Sequence, residues 1–411
     1  MNTPTAQQLD AEDPLAAKRD DFLLPEQGVY LDGNSLGCLT RQARQRAREV
    51  VEQQWGQDLI KSWNSHGWID LPTRCGEKIA PLIGAAPGQV ICCDSISVNL
   101  FKIVSAALKL RAGRRTVLST VSNFPTDLYT VQGLQALLGE QQCRLQLCAD
   151  TELESALGDD VAVLLMSHVD FRTGYVNDMQ HLTAMAHQLG ALVIWDLAHS
   201  AGAMPVMLDD CRADFAVGCG YKYLNGGPGA PAFIYAAKRH QAGLQQPLSG
   251  WMGHRAPFDF DTHYAPAAGM QQFLSGTPAV LSMSVLEAAL DVFRGIDLSV
   301  LRSKSLALTD LFIRQVRARP ALADLQLISP IEHEYRGSQL AWRHPDAWAI
   351  SQALIARGII GDFRAPDIVR FGFSPLYLRY QDVERSVDVL EDIVCTGMYR
   401  QSQFQLRKKV T

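Results

Sequence analysis

Residues 191–200, ALVIWDLAHS, decide how this chain is read. Ala191 to Trp195 form an apolar run that suits a strand buried on both faces. Asp196 then stands at the strand's carboxyl end, the edge of an open α/β sheet where ligands bind. Short runs of the same character, VICC (90–93), TVLS (116–119) and VAVLLM (161–166), alternate with helical stretches at Phe101 to Leu110 and Met179 to Leu189. Buried strands alternating with helices imply parallel β/α units with both sheet faces covered. The expected fold class is therefore α/β, with a mostly parallel sheet.

Outward from this sheet the chain divides into an N-terminal arm and helix (1–60), a large α/β domain (61–280) and a smaller C-terminal α+β domain (281–411). From Arg41 to Gln54 the spacing of Ala43, Ala47, Val50 and Val51 predicts an amphipathic helix. Ser284 to Ala318 reads as one long helix linking the domains. Beyond it come short strands, LQLIS (325–329) and SQLAW (338–342), then a helix from Asp346 to Ala356, strand-like DIVRFGF (367–373) and a last helix near Val383 to Val394. The final QLRKKVT reads as a frayed basic tail.

Composition narrows the function classes. The 411 residues are 47% hydrophobic and 20% charged, as in ordinary globular proteins. Lys+Arg 38 against Asp+Glu 43 leaves a net charge of -5, which argues against the basic surface that nucleic acids or anionic membranes require. Small-molecule chemistry is the expectation. Nine cysteines, none in C-x-x-C spacing, read as mostly buried reduced thiols, and no metal is expected. The acidic N-terminus does not resemble a signal peptide, and no apolar run approaches the ~18 residues of a membrane span. A cytoplasmic, unanchored enzyme is expected.

Gly33-Asn34-Ser35-Leu36-Gly37 matches the G-x-S-x-G nucleophile elbow, but the stretch before it is too short for the strands and oxyanion loop such a fold needs. It reads as a glycine-rich turn or as a loop reaching a ligand pocket. Lys222 lies 26 positions after Asp196, between Tyr221 and Tyr223 and before the glycine-rich LNGGPGAP. It is either a snorkelling lysine or a functional one. A strand-end Asp and a desolvated Lys together suit pyridoxal phosphate, whose aldehyde needs a Schiff-base lysine and whose pyridine nitrogen needs an acidic partner. Its phosphate needs an anion site. Asp94 to Asn99, between VICC and a helix, offers one through backbone N–H groups and the Ser97 hydroxyl, although Ser97 alone reads as an N-cap. Phe124-Pro125-Thr126-Asp127 follows TVLS and could place a ring against the pyridine, or be a core Phe with a Pro turn. His199 could bond Asp196, flank the ring or be structural. Ser167 ends VAVLLM at the same edge.

These segments resemble kynureninase, a family of the aspartate-aminotransferase-like fold type I. YLDGNSLG (30–37), SVNL (97–100), NFPTD (123–127), DLAHSAG (196–202), GYKYLNGGPGAPAF (220–233), GWMGH (250–254), SGTP (275–278) and VRFGFSPLY (369–377) all look like that family's segments, in its order. DLAH and YKYLN alone would mark the wider group, including cysteine desulfurases. GNSLG, GWMGH and RFGFSPLY narrow it.

The resemblance implies a large domain with a seven-stranded-type sheet and a small α+β domain. It implies Lys222 as the Schiff-base lysine, Asp196 as the pyridinium partner, and Tyr221 with its hydroxyl towards the phosphate as a proton carrier. Ile96 and Ser97 would hold the phosphate. Phe124, Pro125, Thr126 and Asp127 would form one cofactor-contacting segment, joined by Ser167 and His199. Trp251 and Thr277 resemble cofactor contacts given by the neighbouring subunit, which implies a homodimer with sites at its interface. Arg370 resembles the substrate-carboxylate clamp, a role that a planar bidentate fork suits. Asn34, Ser35 and His66 would line the aromatic end. The implied reaction is hydrolysis of L-kynurenine to anthranilate and L-alanine, a step of tryptophan catabolism. Some members carry Asn where Thr277 stands, and Thr leans towards kynurenine over its 3-hydroxy form. A desulfurase would need a nucleophilic cysteine in the last third, where only Cys395 occurs. A non-catalytic binding protein would be expected to have lost Lys222.

Overall fold

Seven short strands between Val90 and Ala236 build the central sheet of the computed structural model, which describes residues 4–26 and 28–407. In chain order they are β1 (Val90–Cys92), β2 (Thr116–Thr120), β3 (Arg144–Cys148), β4 (Val161–Ser167), β5 (Leu192–Asp196), β6 (Phe215–Cys219) and β7 (Ala232–Ala236). Across the sheet they run β1-β7-β6-β5-β4-β2-β3, and of the seven β7 alone is reversed. Every residue of β4 to β7 is buried, which explains their continuous apolar sequence. Core side chains fill both faces of the sheet.

The helices that matter to the site are α1 (Arg41–Glu49), α2 (Ile96–Leu110), α3 (Pro125–Leu138), α4 (Met179–Gln188), α5 (Val280–Ala289), α6 (Leu298–Arg317), α7 (Ala347–Ala356) and α8 (Tyr380–Thr396). Two expectations fail here. After α1 the chain widens into a π-helix over Val50–Asp58, and Val51 turns outward, 41% exposed, because the wider turn shifts the apolar register. The single linking helix is two, α5 and α6. Gly295, at φ +73°, closes the turn between them, and Asp297 caps α6 by accepting from the Ser299 N–H at 2.8 Å.

The C-terminal sheet is antiparallel: β8 (Gln326–Leu327), β9 (Gln339–Arg343), β10 (Asp362–Arg364) and β11 (Ile368–Gly372), in the order β10-β11-β9-β8. Arg370 lies opposite both Ala341 and Asp362. Since residues two apart share a face, Gln339, Asp362 and Arg370 project from one side of this sheet. The N-terminal arm is stitched to it: Val29–Tyr30 pairs in parallel with Ile359–Ile360, and the Gly372 N–H donates to the Leu31 carbonyl at 2.6 Å. Six residues on, the Gly37 N–H donates to the Tyr221 carbonyl at 2.7 Å. A Cβ on Gly37 would stand 2.2 Å from the Lys222 carbonyl oxygen, so glycine is required there for close approach.

The tail is held further than expected, because Arg407 stacks 4.7 Å from the Phe363 ring and 5.2 Å from that of Trp348. The rest of the expected tail, 408–411, lies outside the described residues. Among the described residues no helix is long and apolar enough to cross a membrane, and no His, Cys, Asp and Glu cluster could hold a metal.

Candidate active site

A cavity of about 360 Å³ opens at the carboxyl ends of β1, β4, β5 and β6. Ile96, Ser97, Phe124, Thr126, Asp127, Ser167, Asp196, His199, Tyr221 and Lys222 all line it. Pro125 sits behind this wall as the first residue of α3, where its fixed φ suits helix entry. A wider hollow of about 620 Å³ between α2 and α3 is lined by none of these residues.

The N-cap of α2 is Ser95, whose hydroxyl accepts from the Val98 N–H at 3.4 Å, so the N-cap alternative for Ser97 falls away. Ser97 lies one residue inside α2, and the first-turn N–H groups of Ile96 and Ser97 have no carbonyl to meet within the helix. Together with the Ser97 hydroxyl they form an anion-ready end. Asp196 ends β5 and accepts the Ala198 N–H at 2.7 Å. Asp127, in the first turn of α3, is buried with neither carboxyl oxygen meeting a donor. Burial and the neighbouring Asp196 push Asp127 far above the ordinary carboxyl value. Burial also raises Asp196, against the pull of Lys222. Both carboxyls are thus raised, Asp127 with no donor to offset its burial. Phe124 is 36% exposed and meets Phe171 edge-on at 5.1 Å, so it is a wall of the cavity and no core ring. The Ser167 hydroxyl donates to Asn123 Oδ1 at 2.6 Å. Burial raises the Tyr221 phenol.

For His199 one of the alternatives falls away, and the placements of Arg370 and His66 need correction. His199 does not bond Asp196: its Nδ1 faces Gln339 Oε1 at 2.9 Å and its Nε2 faces Lys222 Nζ at 3.0 Å. Burial, then the charges of Lys222 and Arg370, push this imidazole well below its ordinary value. Arg370 does not end a strand but sits mid-β11, 1% exposed and outside the cavity lining. Its Nε donates to Asp362 Oδ1 at 2.9 Å, Nη2 to Ser35 Oγ at 2.9 Å, and Nη1 to the Phe171 carbonyl. Asp362 is held below the carboxyl range because Arg370 outweighs the effect of burial, while burial and Asp362 push nearby Asp32 up to about 8. His66 pairs with Asp58 at 2.8 Å and does not line the cavity.

Asn34 is fully buried and reaches Gln339 Oε1 at 3.4 Å, so GNSLG is a loop lying against Gln339 and Arg370. Trp251 lies with Phe258 and Phe260 in a separate hollow, and Thr277 is exposed; neither lines this cavity.

Residues 301–390 match the family model described as the kynureninase C-terminal domain. Over 408 residues the chain is 51% identical to a kynureninase of Burkholderia pseudomallei (strain 1106a), covering 98% of each. It is 48% identical over 407 residues to a kynureninase of Pseudomonas fluorescens, again covering 98% of each. The chain belongs to the kynureninase family. Its fold is that of fold type I enzymes: a cysteine desulfurase from Thermococcus onnurineus NA1 superposes with a TM-score of 0.75 at 18% identity, over 92% of this chain and 98% of that one.

In this kynureninase-family chain the site includes residues that sequence reading missed. Asn123 orients Ser167, Phe171 closes over Phe124 and Arg370, Asp362 grips Arg370, and Gln339 meets His199. Asn123 was within reach, being the first residue of NFPTD; the others carry no local signal. Cys395, the cysteine of the last third that the desulfurase alternative would need, is exposed on α8 and does not line the cavity; Cys219, which does, ends β6.

Proposed function

We propose that this protein hydrolyses the Cβ–Cγ bond of L-kynurenine to give anthranilate and L-alanine, using pyridoxal 5'-phosphate, as a cytoplasmic homodimer. The observation that carries the reading is one cavity holding the Lys222 amine, the buried carboxyls of Asp196 and Asp127 with Asp127 lacking any donor, and a helix N-terminus. That donor set fits a planar cationic ring with an anionic tail. Asp196, backed by Asp127, would hold the ring nitrogen. Ile96, Ser97 and Tyr221 would hold the phosphate, Phe124 with Pro125 and Thr126 the ring face, Ser167 and His199 its edge, and Lys222 the aldehyde carbon. When bound, this group supplies a carbonyl that captures amines and an electron sink for a carbanion.

The chain's own residues do the rest. Lys222 Nζ, 3.0 Å from His199 Nε2, would take the Cα proton. Water adds to the side-chain ketone, the Cβ–Cγ bond breaks so that the carbonyl carbon leaves as the anthranilate carboxyl, Tyr221 gives a proton to Cβ, and Lys222 gives one back to Cα to complete alanine. Arg370 takes the α-carboxylate in exchange for the Phe171 carbonyl, keeping Asp362 and Ser35 as its backing. Such positioning can lower a barrier by several kcal/mol. Asn34 and Ser35 face the aromatic end.

The dimer reading is supported by large apolar side chains left open, including Ile60 at 77% and Phe260 at 74% exposure. Trp251 and Thr277, off their own cavity, would serve the partner's. The reading keeps the division into an arm (1–60), a cofactor domain (61–280) and a small domain (281–411). Thr277 favours kynurenine over 3-hydroxykynurenine.

The test is an anthranilate fluorescence assay with both substrates side by side, together with uptake of pyridoxal phosphate followed by its visible absorbance. Release from kynurenine and a band that Lys222→Ala lacks are expected. Protein that takes up no cofactor, or that leaves kynurenine intact, overturns the reading. Sedimentation should give a dimer.

A further inference from the structure

Gln339 is 1% exposed, and its amide bridges the two halves of the molecule. Its Nε2 donates to the carbonyls of Asp170 and Phe171, both at 3.0 Å. Carbonyls only accept, so the NH₂ must face them and Oε1 must face the other way. On that side Oε1 meets His199 Nδ1 at 2.9 Å and Asn34 Nδ2 at 3.4 Å. An amide oxygen only accepts, so Nδ1 carries the imidazole proton. In the neutral ring Nε2 is then bare, and it points at Lys222 Nζ, 3.0 Å away.

We infer that Gln339 is a positioning residue that sets the tautomer of His199 and so keeps an unprotonated Nε2 aimed at Lys222. Two backbone carbonyls of the 170–171 turn lock the amide, and the amide locks the ring. A glutamine of the small sheet thus decides the hydrogen-bond polarity offered to a lysine of the large one. The Phe171 carbonyl that takes one of these two Nε2 hydrogens also meets Arg370, so one side chain ties the lysine's acceptor to the arginine's cover. The inference rests on the reading of Lys222 as the reactive lysine.

The test is ¹⁵N NMR of the histidine-labelled full chain, with and without pyridoxal phosphate, the His199 signals being assigned from His199→Asn. Wild type should show Nδ1–H and a bare Nε2. Gln339→Glu keeps an acceptor opposite Nδ1 and should keep that tautomer. Gln339→Leu removes it and should lose or mix the tautomer, with Gln339→Met standing in should the leucine variant not fold. In turnover the acceptor-free variant should lower kcat about 10- to 100-fold with little change in KM, and Gln339→Glu should recover part of it. A protonated Nε2 in wild type, or an unaltered tautomer without the acceptor, overturns the inference. Failure of cofactor uptake would instead strike the wider reading, on which the tautomer measurement does not depend.

Discussion

Asp214 and Asp196 are both buried at ends of the central sheet, Asp214 just before β6 begins and Asp196 where β5 finishes. Asp214 accepts from His187 at 2.8 Å, Arg239 at 2.7 Å, His240 at 2.7 Å and the Val193 N–H at 2.8 Å. Despite its burial, these partners hold its carboxyl far below the ordinary range. Asp196 has one backbone donor, its neighbour Asp127 has none, and both are raised. A buried polar atom left unpaired costs about 1–3 kcal/mol. The amino edge of the sheet is thus complete within the chain, and the carboxyl edge is short of the contacts that a ligand would make. Unequal satisfaction of the same residue type separates the two ends of the sheet.

The largest expected effect is that of Asp196→Asn. Anthranilate release should fall on the order of 10³-fold, because an amide cannot stabilise a protonated ring nitrogen as a carboxylate does. Calorimetry should show stability held within ~1 kcal/mol, and a variant that unfolds yet turns over normally would break the contrast. Asp214→Ala should do the reverse. Stripping the anion from Arg239, His187 and His240 should cost roughly 3 kcal/mol in denaturant unfolding, and kcat of the folded fraction should be unchanged.

The third check is pH, read on cofactor-free protein. Asp214, being depressed, contributes stability that is full above the ordinary carboxyl value near 4 and is lost as pH falls through its own lower value. Asp127, being raised, contributes stability that is full below the ordinary value and declines as pH rises towards its elevated one. Asp127→Asn should therefore flatten the fall of Tm as pH rises above the ordinary carboxyl value near 4, and leave the acid limb in place. The smallest effect separates two serines of one turn. Ser95→Ala should cost about 1 kcal/mol of stability and leave cofactor retention alone. Ser97→Ala should weaken retention in equilibrium dialysis and leave Tm alone. Matching losses in both would erase the distinction between cap and ligand contact.

How much of this was legible depended on whether the cause was local. β4 and β5 were readable because both their faces are buried, and Asp196 because a strand end is a place in sequence as well as in space. β3, RLQLC, was missed because it is a half-exposed edge with Arg144 and Gln146 among its apolar residues. β7, AFIYA, was hidden behind a glycine-rich loop. Ser97 seemed a possible cap because Ser95 and Ser97 fit the same pattern, and only the helix start tells them apart. Gly295 did not register as a break because the apolar spacing continues on both sides of it. Arg370 was located, but its grip by Asp362 depends on strand register. The meeting of Gln339 with His199 depends on two sheets coming together across 140 positions. No periodicity encodes such a meeting.

The seven-residue strap from Leu31 to Gly37 sets a mechanical limit on the molecule. It is pinned to β11 at one end and to the lysine loop at the other, so these two points can separate by no more than roughly 20 Å even with the strap fully drawn out. Gly37 is wedged against the Lys222 carbonyl, leaving little slack at that anchor. Motion of the small sheet against the large one is therefore a rotation about a short leash and never a free separation. Any tilt that carries Arg370 also pulls on the backbone that carries Lys222.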